Sequence, residues 1–496
     1  MREQPVAMSG EEFRHVGHQL VNTIANLLDH IGTIPVSRKV EPADIKAHLP
    51  ASLPEKGGDA TDLMGHAAAV LIEHSTFTWH PKFFGYINGS VAPLGVLADM
   101  LASAINPNCG GWALSPAATE IEKQTVRWIA ELIGYPPDCG GILVSGGNMA
   151  NMLGFFAART AAGGQVGRSA GCPLGEMVCY VSSEAHTWVQ KAADLAGVGT
   201  DNVRWIEVDD SLRMDVGALR RRIKEDVGNG LKPFCVVATA GTVATGAIDP
   251  IAEIAAVCKE HDIWLHVDGA YGAPAAVVPD ADPDLKAMAL ADSIAVDPHK
   301  WFYAPFEAGC TLVRNPQILL DTFSYRPTYY HFEGKEDDPR TSFYEMGMQN
   351  TRGFRALKVW LLIQHAGREG YARMIGDDIE LSKRMFNAVN AHPDFEATTQ
   401  GLSIATFRYL PRDLKDRTRD SAVAQYLDEL NTAILSHLQE GGELFVSNAV
   451  IQNKYVLRAC ITNWRTTEDD IDAVPSIVAA IGEKLHTHMR RQLVSK

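Results

Sequence analysis

Between about residue 85 and residue 330 the chain repeats one scheme. A short apolar run leads into a glycine-marked loop, and a longer stretch with helical periodicity follows. "GGILVSGGNMANMLGFFAAR", "MVCYVSSEAHTWVQKAADLAG" and "PFCVVATAGTVATGAIDPIAEIAAVCKEHDIWLHVDGAYG" all follow it. Strands that alternate with helices and are apolar throughout predict a mostly parallel sheet covered on both faces. Such a sheet binds ligands beyond the carboxyl ends of its strands. The chemistry-bearing residues of this stretch fall at those ends.

The flanks differ. Residues 11–31 carry Phe13, Val16, Leu20, Ile24, Leu27 and Ile31 at helical spacing, then a Pro- and Gly-punctuated connection follows. That first helix has too little sequence around it to bury its own stripe, so the main body or a second subunit must cover it. The polar stretch "YHFEGKEDDPRTSFY" reads as a mobile loop and "TRGFRALKVWLLIQHAG" as a helix. After about residue 375 a smaller α+β unit is expected, with strands at "LSIATFRYL" and "KYVLRACI". The expected division is 1–84, an N-terminal helical segment; 85–375, a large α/β domain; and 376–496, a small C-terminal α+β domain. A chain of 496 residues is too long for one ordinary core.

A net charge of −15 argues against nucleic acid and anionic membrane as partners, since both demand a basic face. No apolar run reaches membrane-spanning length, and the first residues carry no apolar signal core. Eight scattered cysteines without a C-x-x-C read as reduced thiols of a cytoplasmic protein. Cys172 and Cys179 with His186 fit no common zinc spacing, and no metal is expected.

Four short stretches carry chemistry. In "VSGGNMANM", Gly146, Gly147 and Asn148 join a strand to a helix start, where backbone N–H groups and the helix dipole suit a phosphate. In "LHVDGAYGA", Asp268 closes a strand. In "ADSIAVDPHKW", a strand ends and His299 and Lys300 follow side by side. In "SSEAHTW", His186 stands just past a strand. Singly, these read equally as a glycine turn, a cap, an exposed lysine and an ordinary histidine. Together they describe a site for pyridoxal 5'-phosphate: a cradle for the phosphate, an acid to keep the pyridine nitrogen protonated, a ring to stack and Lys300 to form the Schiff base.

The chain resembles the group II pyridoxal-phosphate-dependent amino-acid decarboxylases of fold type I, and among them the aromatic-L-amino-acid decarboxylases. "HPKFFGYINGS", "WALSPAATEIE", "SGGNMANM", "EAHTW", "HDIWLHVDGAYG", "DPHKW" and "YVLRACI" carry the resemblance, in the family's order and over nearly the whole chain. It implies a large domain with a mostly parallel seven-stranded sheet, an N-terminal helical segment that clasps the partner, and an obligate homodimer with sites at the subunit interface. It assigns His186 to stack on the cofactor, Thr242 to lie near it and His299 to help hold the phosphate. Arg458 is placed on the substrate side, with Phe83, Tyr86, Ile87, Trp112 and Phe343 as substrate contacts. Asp297 stands where relatives often carry asparagine, so an acid is expected to turn away from the phosphate or be hydrogen-bonded.

The resemblance also implies the reaction: loss of carbon dioxide from an aromatic L-amino acid, then return of a proton from a tyrosine on the mobile loop. A gap-free count puts Phe343 at that place, and a one-residue shift puts Tyr344 there; Tyr344 is favoured. Relatives with phenylalanine there often divert to oxygen and yield an aldehyde, the alternative outcome on the same scaffold. An aminotransferase or carbon–sulfur lyase of the same fold type, and a dimer that only binds a phosphorylated ligand, stay open on the residues alone. Asn88 stands where many relatives have proline and Gly110 where some place an aromatic ring; a pocket made roomier in this way would admit indole as well as phenyl. No extra cationic group is arranged as glutamate would require.

Overall fold

The computed structural model describes residues 4–171, 175–325 and 340–494. The expected mobile loop therefore falls mostly outside the described residues, as does Cys172. The large sheet holds β1 (Gly140–Val144), β2 (Met177–Ser182), β3 (Val203–Ile206), β4 (Lys232–Thr239), β5 (Trp264–Asp268), β6 (Ser293–Val296) and β7 (Gly309–Val313). Their spatial order is β1-β7-β6-β5-β4-β2-β3. Only β7 runs antiparallel to its neighbours; the pairs among β3, β2, β4, β5 and β6 are parallel. Every residue of β1, β2, β6 and β7 is buried, which explains their unbroken apolar sequences.

Register fixes where the site forms. Thr239 of β4 pairs with Asp268 of β5, and Asp268 pairs with Ala295 of β6. Three strand ends thus lie level, and the segments leaving them emerge side by side. The helix Gly147–Ala170 leaves β1 and crosses the sheet over β6 and β7. A polar thread pins its first turn: Asn151 donates to the carbonyl of Gly147 (2.9 Å) and pairs through its Oδ1 with His266 Nε2 (2.8 Å), while His266 Nδ1 meets Ser293 Oγ (2.7 Å). Full burial lowers the His266 pKa to about 4.

A second sheet, β8 (Phe395–Gly401), β9 (Ile404–Tyr409), β10 (Ser447–Ile451) and β11 (Lys454–Cys460), is antiparallel in the order β10-β11-β9-β8. Helices Ser421–Gly441 and Glu468–Val494 pack with it around a separate core. The helix Ala356–Ala391 kinks at Gly367 and runs through position 375, linking the two cores. Residues 83–90 lie against the small sheet: Phe84 N donates to the Phe445 carbonyl (2.7 Å), and Cys460 N donates to the Phe84 carbonyl (2.9 Å). Among the described residues no helix is long and apolar enough to cross a membrane.

Candidate active site

Lys300 follows β6 after a tight turn in which its N–H donates to the Asp297 carbonyl (2.9 Å). Its Nζ pairs with Asp297 Oδ2 at 3.0 Å. Asp297 N in turn donates to the carbonyl of Ala270, two residues past Asp268 (3.2 Å), so the β5 and β6 exits are tied together. Asp268 is buried, and both its oxygens are engaged. Oδ2 accepts from Trp188 Nε1 at 2.7 Å, and Oδ1 accepts from Ala270 N at 3.2 Å.

The glycine turn closes the same space. A Cβ on Gly147 would stand 2.4 Å from Asp297 Oδ2, and one on Gly146 would stand 3.1 Å from His299 Cε1. Glycine is therefore what lets the helix start approach the Lys300 segment. Asn148 is exposed beside it. His299 Nδ1 accepts from Ala308 N (3.2 Å), so the neutral ring carries its proton on Nε2, which faces Asp297 Oδ2 at 3.7 Å. Burial lowers the His299 pKa; Asp297 opposes the shift, and Lys300 adds to it.

His186 stands at the open side of this cluster. Its Nδ1 accepts from Trp188 N (3.2 Å), which orients the ring. Its pKa is lowered, first by desolvation from the surrounding wall; the charge of Asp268 pulls it up and that of Lys300 pushes it down. Electrostatically, the three residues share one site.

Other sequence-chosen residues sit differently. The Thr242 hydroxyl turns into its own loop, 2.9 Å from Thr245 Oγ1, although the loop adjoins Asp268 through the Ala240 N–H to Asp268 carbonyl bond (2.9 Å). Arg458 is buried and acts as a strut. Nε donates to the Val243 carbonyl (2.6 Å), Nη1 to the Tyr86 carbonyl (3.1 Å) and to Ser447 Oγ (3.1 Å). Its remaining nitrogen, Nη2, is buried without a partner among the described residues. Phe83 is buried and stacks on Phe445 at 4.8 Å; Ile87 is buried too, while Tyr86 is exposed with a left-handed φ of 54°. The segment of residues 88–90 runs directly against the Lys300 carbonyl, which a Cβ on Gly89 would approach to 1.9 Å.

Phe343 is 1% exposed, packed in the core beside Ile142 and Leu153 with the Arg352 guanidinium 4.9 Å above its ring. A ring so enclosed has no open face to offer a substrate in this chain, which departs from the expected contact. Tyr344 is partly exposed, its N–H donating to the Gly110 carbonyl (2.9 Å) and its ring edge against Gly111. Trp112 is partly exposed, its Nε1 donating to Glu120 (3.1 Å).

Sequence reasoning missed Trp188 and the Asn151–His266–Ser293 thread. Trp188 lay inside a quoted stretch, two residues from His186; nothing in sequence tied it to an acid 80 residues away.

The family model described as the pyridoxal-dependent decarboxylase conserved domain matches residues 42–410. The chain belongs to the pyridoxal-dependent decarboxylase family. An aromatic-L-amino-acid decarboxylase of Bacillus atrophaeus is 33% identical over 96% of this chain and 97% of its own length. A phenylacetaldehyde synthase of a Rosa hybrid cultivar is 29% identical over 94% of this chain and 92% of its own. The crystal structure of Oryza sativa TDC with PLP and tryptamine superposes with a TM-score of 0.90 at 25% identity, over 98% of this chain and 100% of that one. The fold is that of the fold-type-I members of this family, and the cofactor is pyridoxal phosphate. The residues fit it. A glycine floor at a helix N-terminus meets a phosphate's needs, and a buried, doubly hydrogen-bonded carboxylate suits a protonated pyridine. Lys300 is the amine between them.

Proposed function

We propose that this member of the family removes carbon dioxide from an aromatic L-amino acid and releases the arylalkylamine. The observation that carries the reading is the convergence of Asp268, Asp297–Lys300 and the Gly146–Gly147 turn at level strand ends. The aromatic preference is supported by the Bacillus atrophaeus relative and by the exposed ring of Tyr86 beside the segment that crosses Lys300.

Bound pyridoxal phosphate supplies an electron-accepting ring conjugated to the substrate's α-carbon. Gly146, Gly147, Asn148 and His299 Nε2–H would hold its phosphate. Asp268 keeps the pyridine nitrogen protonated, and Trp188 fixes the carboxylate for that task. Lys300 would hold the aldehyde carbon. His186 covers the ring and limits water. Tyr344 returns the proton to the α-carbon. Arg458 acts through Tyr86 and Val243, whose carbonyls it holds.

A second product is kept on a specific observation. Phe343 and Tyr344 are adjacent, and the Rosa relative is named for an aldehyde. Phe343 is enclosed beneath Arg352 and has no proton to give; Tyr344, partly exposed but with its hydroxyl buried in the single chain, is the ring of the pair that could supply one, which favours the amine product. Incubating the purified protein with a panel of amino acids and scoring products by mass spectrometry tests both. Tryptamine, tyramine or phenethylamine with matching carbon dioxide supports the reading; stoichiometric peroxide and ammonia with an aldehyde overturns the amine product.

The functional unit in this reading is a homodimer. Phe13 and Val21 on the helix Gly10–His30, Leu63 and Leu71 on Ala60–His74, and Leu97, Leu101 and Ile105 on Pro93–Ile105 are all exposed in the single chain. Three helices with bare apolar faces suit a second copy. Sedimentation at micromolar concentration should give twice the mass of 54.0 kDa. The free, largely buried thiols among the described residues suit a reducing compartment, the cytoplasm in our reading.

A further inference from the structure

Asp297 is an acid in an awkward place. It is buried, with Oδ2 3.0 Å from Lys300 Nζ and 3.7 Å from His299 Nε2. Its other oxygen, Oδ1, is buried with no hydrogen-bond partner among the described residues. The same Oδ2 abuts Gly147, the first residue of the helix that opens the phosphate cradle, where a Cβ would come within 2.4 Å. The carboxylate thus lies at the positive end of that helix. Hydrogen bonds on both sides of the residue, to Ala270 and from Lys300, fix its main chain. The side chain is held between cradle and amine, with neither oxygen turned to solvent.

We infer that Asp297 loosens this chain's hold on pyridoxal phosphate and makes the cofactor readily exchangeable, by competing with it at both ends. At one end, the carboxylate and the phosphate are like charges at one helix terminus, where each raises the cost of the other. At the other end, the carboxylate holds Nζ at 3.0 Å, a contact that Lys300 must give up to bond the aldehyde carbon. The two effects have the same sign. The unpartnered Oδ1 agrees, because the lysine pair satisfies only one of the two oxygens. This inference rests on the cofactor assignment above.

The test compares cofactor retention, independent of turnover. Full-length holoenzyme, as wild type, Asp297→Asn and Asp297→Ser, is diluted into cofactor-free buffer. Release is followed by ultrafiltration and by the visible absorbance that borohydride bleaches. Removing one full charge at this range should slow release about tenfold or more in both neutral variants. The asparagine is near-isosteric with the acid; the serine variant carries the test if the asparagine protein does not fold. Equal release, or faster release from the neutral variants, overturns the inference; faster release would mark Asp297 as a counter-ion that helps retain the cofactor. A wild-type protein that never shows the bleachable band defeats the cofactor assignment itself, and the inference with it.

Discussion

Trp188 Nε1 donates to Asp268 Oδ2 at 2.7 Å, across 80 residues of sequence and inside the core. The indole is fully enclosed, edge-on to His266 at 5.7 Å, so it has no freedom to point elsewhere. Trp188→Phe keeps most of the packing and removes the donor. A buried hydrogen bond to a charged group contributes about 1.5–3 kcal/mol, so the variant should unfold at lower denaturant by about that amount. Because Asp268 also loses its fixed orientation, kcat should fall about tenfold with KM little changed, equivalent to about 1.4 kcal/mol in the barrier. Steady-state kinetics beside urea unfolding checks both parts.

Gly89 makes a second, sharper case. A methyl group there would stand 1.9 Å from the Lys300 carbonyl oxygen and 2.8 Å from that of His299, both backbone atoms. Neither can move without shifting Lys300. Gly89→Ala should cost about 3 kcal/mol or more in stability, at the top of the overpacking range, and should lose the visible cofactor band. Gly376→Ala is the control: it lies in the helix Ala356–Ala391, none of the described residues comes within 4 Å of the added carbon, and helix propensity should make it neutral or slightly stabilising. Parallel denaturant curves decide the comparison.

These two contacts also mark what sequence conveys and what it withholds. The parallel sheet was legible because β2, β4 and β6 are largely apolar runs, Asp268 because it closes β5, and Lys300 because it follows the end of β6 after Asp-Pro-His. β8 was not, since "FEATTQG" carries no apolar run: its pairing with β9 and Thr–Thr contacts, such as Thr399 with Thr406 at 2.6 Å, hold it in the sheet. β10 is a short edge strand that alternates buried and exposed residues; it pairs with β11 across a two-residue turn, Gln452–Asn453, both at positive φ, a hairpin signal that sequence reasoning passed over. Phe343 and Tyr344 could not be told apart by counting. What separates them is Arg352, whose guanidinium covers the first and forms a buried pair with Glu122. A long-range ion pair has no local signature.

Tyr344→Phe tests the proton return. If Tyr344 supplies that proton, amine formation should fall at least about a hundredfold, the lower end expected for loss of a general acid. Without that proton the reaction would divert to dioxygen. For each carbon dioxide lost, one dioxygen and one water would be consumed, and one aldehyde, one ammonia and one hydrogen peroxide formed. Peroxide equal to ammonia in the variant, and far below amine in the wild type, is the expected result. Phe343→Leu should leave the product ratio unchanged and only lower stability, since that ring is core.

Asp378 offers a pH signature. It sits in the helix Ala356–Ala391, fully buried, and its Oδ2 accepts from Trp301 Nε1 (2.8 Å) and Tyr303 Oη (2.8 Å). Both donors are neutral, and both lie in the turn just after Lys300. Desolvation pushes its pKa up to about 7, against which these hydrogen bonds act only in part. An unfolded aspartate titrates near 3.9, so between about pH 4 and pH 7 the folded chain keeps a proton that the unfolded chain has released. The folded state binds more protons, so this residue's contribution is fully present below about pH 4 and is lost as pH rises towards 7. Its full span is at most about 4 kcal/mol, three pH units at about 1.4 kcal/mol each. Asp378→Asn keeps an acceptor for Trp301 and Tyr303 and cannot titrate. The stability of wild type minus that of the variant should therefore fall steadily from pH 4 to pH 7 and level off above it. A difference that stays flat across that range, measured by urea unfolding at each pH, would show that the acid is not the titrating group at this turn.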